Sequence, residues 1–318
     1  MSVTIALALY EPRLDWLEAQ LRSIACQTYR AIELRAIDDA SAAVPFAQIE
    51  AVFASACQGI PYTLTRSEQN LGSDLTFAKL TERAEGDYIS YCDQDDIWLP
   101  HKTEALLDAL SRSNAPLAYS DLSVIDGEGK AVADSLRHVR RRLRHLHGEG
   151  LAEALLFRNF TNGTAMMMPA RVAKEALPFV KDMVADHWLT LWAATRGPVV
   201  YLPEPLVRYR LHGKNQSAVM AGVTDKKSYL ERRILPGLSR FGQFKTRLAH
   251  EPGLSDAIEG GGQWFEARRR WFEEASGFRD LWKLRQWGKQ ATLFELLAAR
   301  LPAPVFMALV RLVRGGWL

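Results

Sequence analysis

The chain has 318 residues, 48% of them hydrophobic and 24% charged, with a formal net charge of +3. That length suits one large α/β domain plus an appendage in an ordinary globular balance. The near-neutral charge excludes a global nucleic-acid-binding signal, and three widely spaced cysteines, Cys26, Cys57 and Cys92, indicate neither a disulfide framework nor a zinc site. Val3 to Leu9 is a continuous apolar run, the pattern of a buried parallel strand. Leu14, Leu17, Leu21 and Ile24 then recur at helical spacing. Ile32 to Ile37 reads as a second strand, and Ile49, Val52, Phe53 and Ala56 mark a second helix. Pro61 to Thr65 is a third strand, Leu71 to Ala84 a helix, and Tyr88 to Cys92 a fourth strand. A helix from His101 to Arg112 and a strand from Leu117 to Ser120 follow. Strands alternating with helices imply βαβ units and a mostly parallel sheet.

After residue 120 the rhythm changes. Asp126-Gly127-Glu128-Gly129 predicts a hairpin tip. Thr164 to Met168 is a short strand, and Asp186 opens a helix running to about Thr195, where an acid would cap free N–H groups. Val199 to Leu202 is another strand. From about residue 223 the pattern is helical and rich in Arg, Lys and Trp, with a break expected at Gly260-Gly261-Gly262. The basic run RHVRRRLRHLH from Arg137 to His147 suits a phosphate-bearing partner, an anionic membrane surface or simple solvation. No signal peptide and no apolar run long enough to span a membrane is read, so a cytoplasmic setting is expected.

In parallel α/β sheets, ligands bind beyond the C-terminal strand ends. The first strand ends at Ala8-Leu9-Tyr10-Glu11, the second at Asp38-Asp39 and the fourth at Asp93-Gln94-Asp95-Asp96. Carboxylates gathered in one place repel one another unless a cation or a donor sits between them. Mg²⁺ or Mn²⁺ holding a bound diphosphate would resolve the conflict, since both are hard cations with oxygen ligands. The plainer alternative is that these acids cap the helices that follow them.

The ordered set Ala8-Leu9-Tyr10-Glu11, Gln27-Thr28-Tyr29, Ile37 to Ser41, Asn70-Leu71-Gly72, Gly86 to Ile89 and Asp93 to Trp98 resembles the inverting family 2 glycosyltransferases. The DQDDIW run looks like the bacterial subgroup of O-antigen and capsule rhamnosyltransferases. The resemblance covers residues 1–217 and implies a GT-A fold, with a donor half at 1–120 and an acceptor half at 121–217. Residues 218–318 are left as a helical C-terminal region. It also implies roles. Tyr10 lies beside the nucleobase, Asp39 accepts from a pyrimidine N3–H, and Ala8, Arg66, Gly72, Asp93 and Gln94 line the donor. Asp95, with Asp93, is the metal ligand. The family's usual Thr and Asn around Tyr10 are Leu9 and Glu11 here, which puts a charge near the base or ribose.

For the acceptor side, the resemblance assigns Trp98, Asn162, Gly163, Thr164 and His187, and it makes Asp186 the general base that takes the proton from the incoming hydroxyl. Tyr209 to Ser217 resembles a loop closing over the diphosphate. In it His212 would ligate metal, while Arg210 and Lys214 would face the leaving group. The reaction implied is a single inverting displacement, moving a sugar from dTDP-rhamnose or a UDP-sugar to a surface glycan, with a lipid-linked acceptor in view. A nucleotidyltransferase is the rival enzyme, but it would show a Gly-rich phosphate loop where this chain has Tyr10-Glu11-Pro12-Arg13. A non-catalytic glycan- or membrane-binding subunit of the same fold is the other rival. Leu293 to Leu318 is too interrupted to span a bilayer. Phe306, Leu309, Val310, Leu312 and Val313, with Arg311, Arg314 and Trp317, give it a membrane-surface pattern. Trp264, Trp271, Trp282 and Trp287 among basic residues point the same way, against the alternative that these helices simply pack.

Overall fold

The structure, a computed structural model, describes residues 1–140, 143–212, 220 and 222–314. The chain divides into two compact units, one of residues 1–179 and 184–212, the other of residues 180–183 and 213–318. The division falls five residues before the boundary expected at 217, a position outside the described residues.

In the first unit, β1 (Val3–Leu9), α1 (Leu14–Ala25), β2 (Ile32–Asp38), α2 (Phe46–Ala56), β3 (Tyr62–Arg66), α3 (Ser73–Glu82) and β4 (Tyr88–Cys92) alternate as the apolar runs predict. The strands lie in the order β3-β2-β1-β4, all parallel. Leu9 is in register with Asp38, Asp38 with Arg66, and Leu7 with Cys92. The polar residues that end these strands therefore share one edge. Val3, Ile5 and Leu7 on one face and Thr4 and Ala6 on the other are all fully buried, as strands covered on both faces must be. α1 presents Leu17, Leu21 and Ile24 to this core, and its buried Gln20 donates from Nε2 to Cys92 Sγ at 2.9 Å.

The remaining elements of this unit are β5 (Ile97–Trp98), α4 (Lys102–Ser113), β6 (Leu117–Ile125), β7 (Ala131–Ala133), α5 (Leu136–Val139), α6 (Ala152–Phe157), β8 (Met166–Pro169), α7 (Ala170–Glu175), α8 (Ala185–Ala194) and β9 (Val199–Arg210). They extend the sheet as β4-β8-β6-β9-β5, with β7 on β6 across the expected 126–129 hairpin. Parallel order is confined to the first four strands and the β6–β9 pair; β8, β5 and β7 run antiparallel. β9 outruns the apolar stretch at 199–202. It continues through Pro203 and Pro205 to Arg210, with register shifts against β6 around Asp121. The prolines lack a ladder donor, and a shifted register accommodates that. The extension carries Arg210 to the edge where β4 ends.

The second unit contains α9 (Lys226–Tyr229), α10 (Leu235–Arg247), α11 (Ser255–Glu273), α12 (Phe278–Lys283), α13 (Lys289–Ala298) and α14 (Ala303–Arg314), with a π-helical turn at Leu230–Ile234. Gly260-Gly261-Gly262 does not break a helix. α11 runs straight through it, because the glycines make room: a Cβ on Gly261 would stand 2.1 Å from Phe241, and one on Gly260 2.4 Å from Trp287 Nε1. Trp264 is buried and donates to Thr292 Oγ1 at 2.8 Å, and Trp271 donates to the Glu295 carbonyl at 2.9 Å. Phe306 and Val310 are fully buried. Trp264, Phe306 and Val310, read as part of an interface pattern from sequence, are core residues of the unit, while Trp271 is half-buried and Leu312 is exposed. At its centre Arg268 is paired with the fully buried Glu295, which also accepts from Tyr229 Oη at 2.8 Å.

Candidate functional site

The site is the C-terminal edge of the parallel strands. Asp39, just past β2, is almost wholly buried. Its carboxylate accepts from the N–H groups of Leu71 and Gly72 at 2.8–3.0 Å. Gly72 holds φ +84, the left-handed region that glycine takes without strain, and aims its N–H there. Asp38 sits behind, accepting from Ser41 Oγ at 2.5 Å and lying 3.2 Å from Arg66 Nε. Arg66 also donates to the Ser41 carbonyl. Its guanidinium thus braces the 38–41 loop.

Glu11 is not aimed outward at a ligand. Its backbone is left-handed at φ 45, and its carboxylate folds back to accept from the N–H groups of Ala42 and Ala43 at 2.6–3.1 Å. Those amides hold its pKa below the usual carboxylate value, Ala43 foremost. Tyr10 leaves its ring exposed at 51%. The Gln94 amide pairs with the Tyr10 backbone in both directions, at 2.9 and 3.0 Å. Gln94, expected at the donor, is instead a clasp between the ends of β1 and β4. Ala8 pairs with Ile37 inside the sheet and is partly buried.

Beyond β4 the three acids differ. Asp96 is fully buried, with Oδ1 accepting from Arg210 N–H at 2.9 Å. Burial, then the like charges of Asp95 and Asp93, push its pKa well up, and its bond to the Arg210 N–H makes it a strut between the β4 end and β9. Asp95 stays partly exposed, with Oδ2 2.7 Å from His212 Nε2. Asp93 is raised by burial and by two like charges, Asp95 and Asp186. The Asp186 charge thus reaches Asp93, and Trp98 Nε1 donating to Thr164 Oγ1 at 3.2 Å ties the segment that carries Asp186's partners to the residues after β4.

Asp186 lies in the first turn of α8 but does not cap it. Val184 occupies the cap position, and the Ala185 N–H is taken by Asp74 Oδ1 of α3 at 2.9 Å. Asp186 is not the cap residue, although its carboxylate also accepts from the His187 N–H of the same turn. Its own carboxylate accepts from Asn159 Nδ2 and Gly163 N–H, each at 3.1 Å. Asn162 caps the following turn through the Thr164 N–H at 3.2 Å. The 159–164 segment is thus a cradle for Asp186. Burial, with the Asp74 charge, raises Asp186 from 3.8 to about 6, against the lowering effect of its hydrogen bonds.

Several expected ligand-facing residues are structural. Trp98 is 2% exposed and donates to Thr164 Oγ1 at 3.2 Å, with Lys102 Nζ 3.2 Å above its ring. His187 is buried, its Nε2 2.6 Å from the Leu155 carbonyl, so it points into the α6–α8 packing. Arg210 is 3% exposed, and its guanidinium donates to the carbonyls of Asp95, Asp126 and Gly127 at 2.8–3.3 Å. It shapes the acidic loop from beneath. Lys214 lies outside the described residues. Two residues were missed. Trp16 of α1 lies tilted against His212 (ring centroids 5.1 Å apart), with the Arg210 guanidinium 5.0 Å from its ring. Asp74 is the other. Neither carries a sequence signal beyond its place in the first turn of a helix that follows a parallel strand.

Asp95 and His212 are the potential metal anchors that the fold brings together. No group of three or more His, Cys, Asp and Glu is arranged to hold a metal among the described residues. The set expected from sequence, with Asp93 as a third ligand, is therefore not closed on one point.

Residues 5–175 match the family described as glycosyl transferase family 2. The chain belongs to that family. An uncharacterized glycosyltransferase of Nostoc sp. is 23% identical over 285 residues, covering 86% of this chain and 82% of that one. An uncharacterized glycosyltransferase of Rickettsia conorii is 25% identical over 246 residues, covering 74% of this chain; the chain spans only 38% of that relative's length. Among solved structures, S. aureus TarS 1–349 in complex with UDP-GlcNAc superposes with a TM-score of 0.59 at 13% identity, over 94% of this chain and 81% of that one. That likeness shows a shared fold, the GT-A architecture expected of a family 2 member.

Proposed function

We propose that the chain transfers a sugar from a nucleoside-diphosphate donor to a glycan hydroxyl, inverting the anomeric centre in one displacement. The observation that carries this is the meeting of Asp186, cradled by Asn159 and Gly163, with the acids that end β4. A carboxylate poised at about 6 is a competent base at neutral pH: mostly ionised, yet basic enough to draw the proton from an attacking hydroxyl. The nucleotide half fits the edge of β1–β3. The exposed Tyr10 ring offers a stacking face, and Asp39 Oδ1, which accepts from one backbone amide where Oδ2 accepts from two, keeps a lone pair for a ligand donor. TarS, solved with UDP-GlcNAc and with UDP, supports a nucleotide-sugar donor, and the proposed class is a uridine or thymidine diphosphate sugar, dTDP-rhamnose included.

Asp95 and His212 offer a hard oxygen and an imidazole nitrogen, donors that Mn²⁺ or Mg²⁺ accepts, with diphosphate and water oxygens completing the shell. The repulsion among Asp93, Asp95 and Asp186 is the charge imbalance a divalent cation relieves. Such a cation, when bound, would neutralise charge on the departing diphosphate. Arg210 holds the Asp95 carbonyl, Gln94 holds Tyr10, and the buried Asp96 holds the Arg210 N–H, so the acidic loop is preorganised before any ligand arrives. The acceptor fitting this reading is a growing surface glycan, carried on a lipid. Screening nucleotide sugars for diphosphate release, with Mn²⁺, with Mg²⁺ and with chelator, tests it. Release from one donor, lost with chelator and lost in Asp95→Ala, is expected. Release unaffected by chelator and by that substitution would overturn the metal assignment, and release from no donor would favour a non-catalytic subunit.

A further inference from the structure

The second unit leaves apolar side chains uncovered where its charge is one-sided. On α12, Phe278 and Trp282 stand one turn apart and are 51% and 43% exposed; on α13, Leu293 and Leu297 stand one turn apart and are 42% and 70% exposed. The two helices touch each other. Arg279, Lys283, Lys289 and Arg300 are exposed around them, and the Arg285 guanidinium lies 4.5 Å from the Trp282 ring. From 279 to 314 the sequence holds seven Lys and Arg against two acids, Asp280 and Glu295. Both acids are already paired inside the unit, with Arg270 at 3.0 Å and with Arg268. The outward charge of this stretch is therefore almost purely positive.

We propose that the α12–α13 face docks on the surface of a bilayer rich in anionic phospholipid. An exposed Trp and Phe ringed by Lys and Arg match the interfacial zone, where the rings sit at headgroup depth and the cations meet phosphate. No helix among the described residues is long and apolar enough to cross a membrane, so the contact is to the surface. The charge favours lipid over a second copy of this chain, since two such faces would repel. The face overlaps the sequence pattern only in part, sharing Trp282, Leu293 and Leu297 with it. Trp264, Phe306 and Val310 from that pattern are buried, and Trp282 is the tryptophan of its set that remains exposed. The inference does not depend on which sugar is transferred.

Flotation of the full chain on phosphatidylcholine vesicles, with and without phosphatidylglycerol, is the test. The chain should float with the anionic vesicles at low salt, stay behind with the neutral ones, and be released towards ~1 M salt, where the Debye length falls to ~3 Å. Lys283→Gln with Lys289→Gln should weaken partition about twenty-five-fold, about fivefold for each charge near an anionic surface. Trp282→Ala with Leu297→Ala should weaken it about tenfold. All four side chains are exposed, so thermal melting should be unchanged, and the charge pair stands as the test if the apolar pair misfolds. Equal flotation on both vesicle types, or none on anionic vesicles at low salt, would overturn the proposal. So would a dimer in sedimentation that the apolar pair dissociates, since the face would then belong to a second copy.

Discussion

Asp74→Asn separates the two things Asp74 does. Asparagine keeps an oxygen for the Ala185 N–H, now held at 2.9 Å, so α8 stays capped and Asp186 stays in place. The negative charge facing Asp186 is lost. Asp186 stands about two units above its ordinary 3.8, worth about 3 kcal/mol against its charged form. Burial is the largest cause, and the Asp74 charge is a smaller one opposed by hydrogen bonds from His187, Gly163 and Asn159. The Asp74 share is a fraction of that total, on the order of 1 kcal/mol. The acid limb of the kcat/KM pH profile should therefore move down from about 6 by roughly half a unit to one unit. At pH 5 the variant should be more active relative to its own plateau than the native chain. Asp93, which also faces Asp186, is untouched and serves as the common background. An acid limb that does not move, with the fold intact by circular dichroism, would refute Asp74 as the group that tunes Asp186.

Asp186→Asn should raise stability as it lowers activity. A carboxyl with a raised folded pKa binds more protons folded than unfolded, so native stability falls as pH rises from 3.8 to about 6. Urea unfolding should find the variant more stable at pH 7, by up to about 3 kcal/mol, and the two alike near pH 3. Glu295→Ala leaves Arg268 buried without its partner and should cost about 3–5 kcal/mol in the same assay. Gly261→Ala puts a methyl 2.1 Å from Phe241 and should cost about 1–3 kcal/mol as α10 and α11 are forced apart.

The parallel half was legible because β1 and β4 are mostly apolar runs followed directly by Tyr10-Glu11 and by the Asp93–Asp96 acids, with helical spacing between the strands. Val3 to Leu9 and Tyr88 to Cys92 match the observed strands residue for residue. The antiparallel half was not. β8 is preceded by a short 3₁₀ turn, and β9 passes through two prolines, so neither shows a clean period. Asp93, Asp95, His212 and Asp186 were found as types in a motif. Which side chains face the cleft and which brace it was invisible, since Arg210, Trp98 and His187 differ from ligand-facing residues only by burial. Asp74 was missed because its partner lies 111 residues away in sequence. The Gly260–Gly262 run misled, since small residues signal either a break or a close helix crossing, and only the facing aromatics Phe241 and Trp287 decide between them.

The most direct measurement is the turnover of Asp186→Asn on the donor identified by diphosphate release, with donor affinity measured alongside by calorimetry. Asparagine keeps the size of the side chain, and its amide oxygen can still accept from the Gly163 N–H. Turnover should fall about 10²–10⁴-fold, the usual worth of a positioned base, with donor affinity unchanged. Turnover within a few-fold of the native chain would contradict the assignment of Asp186 as the base.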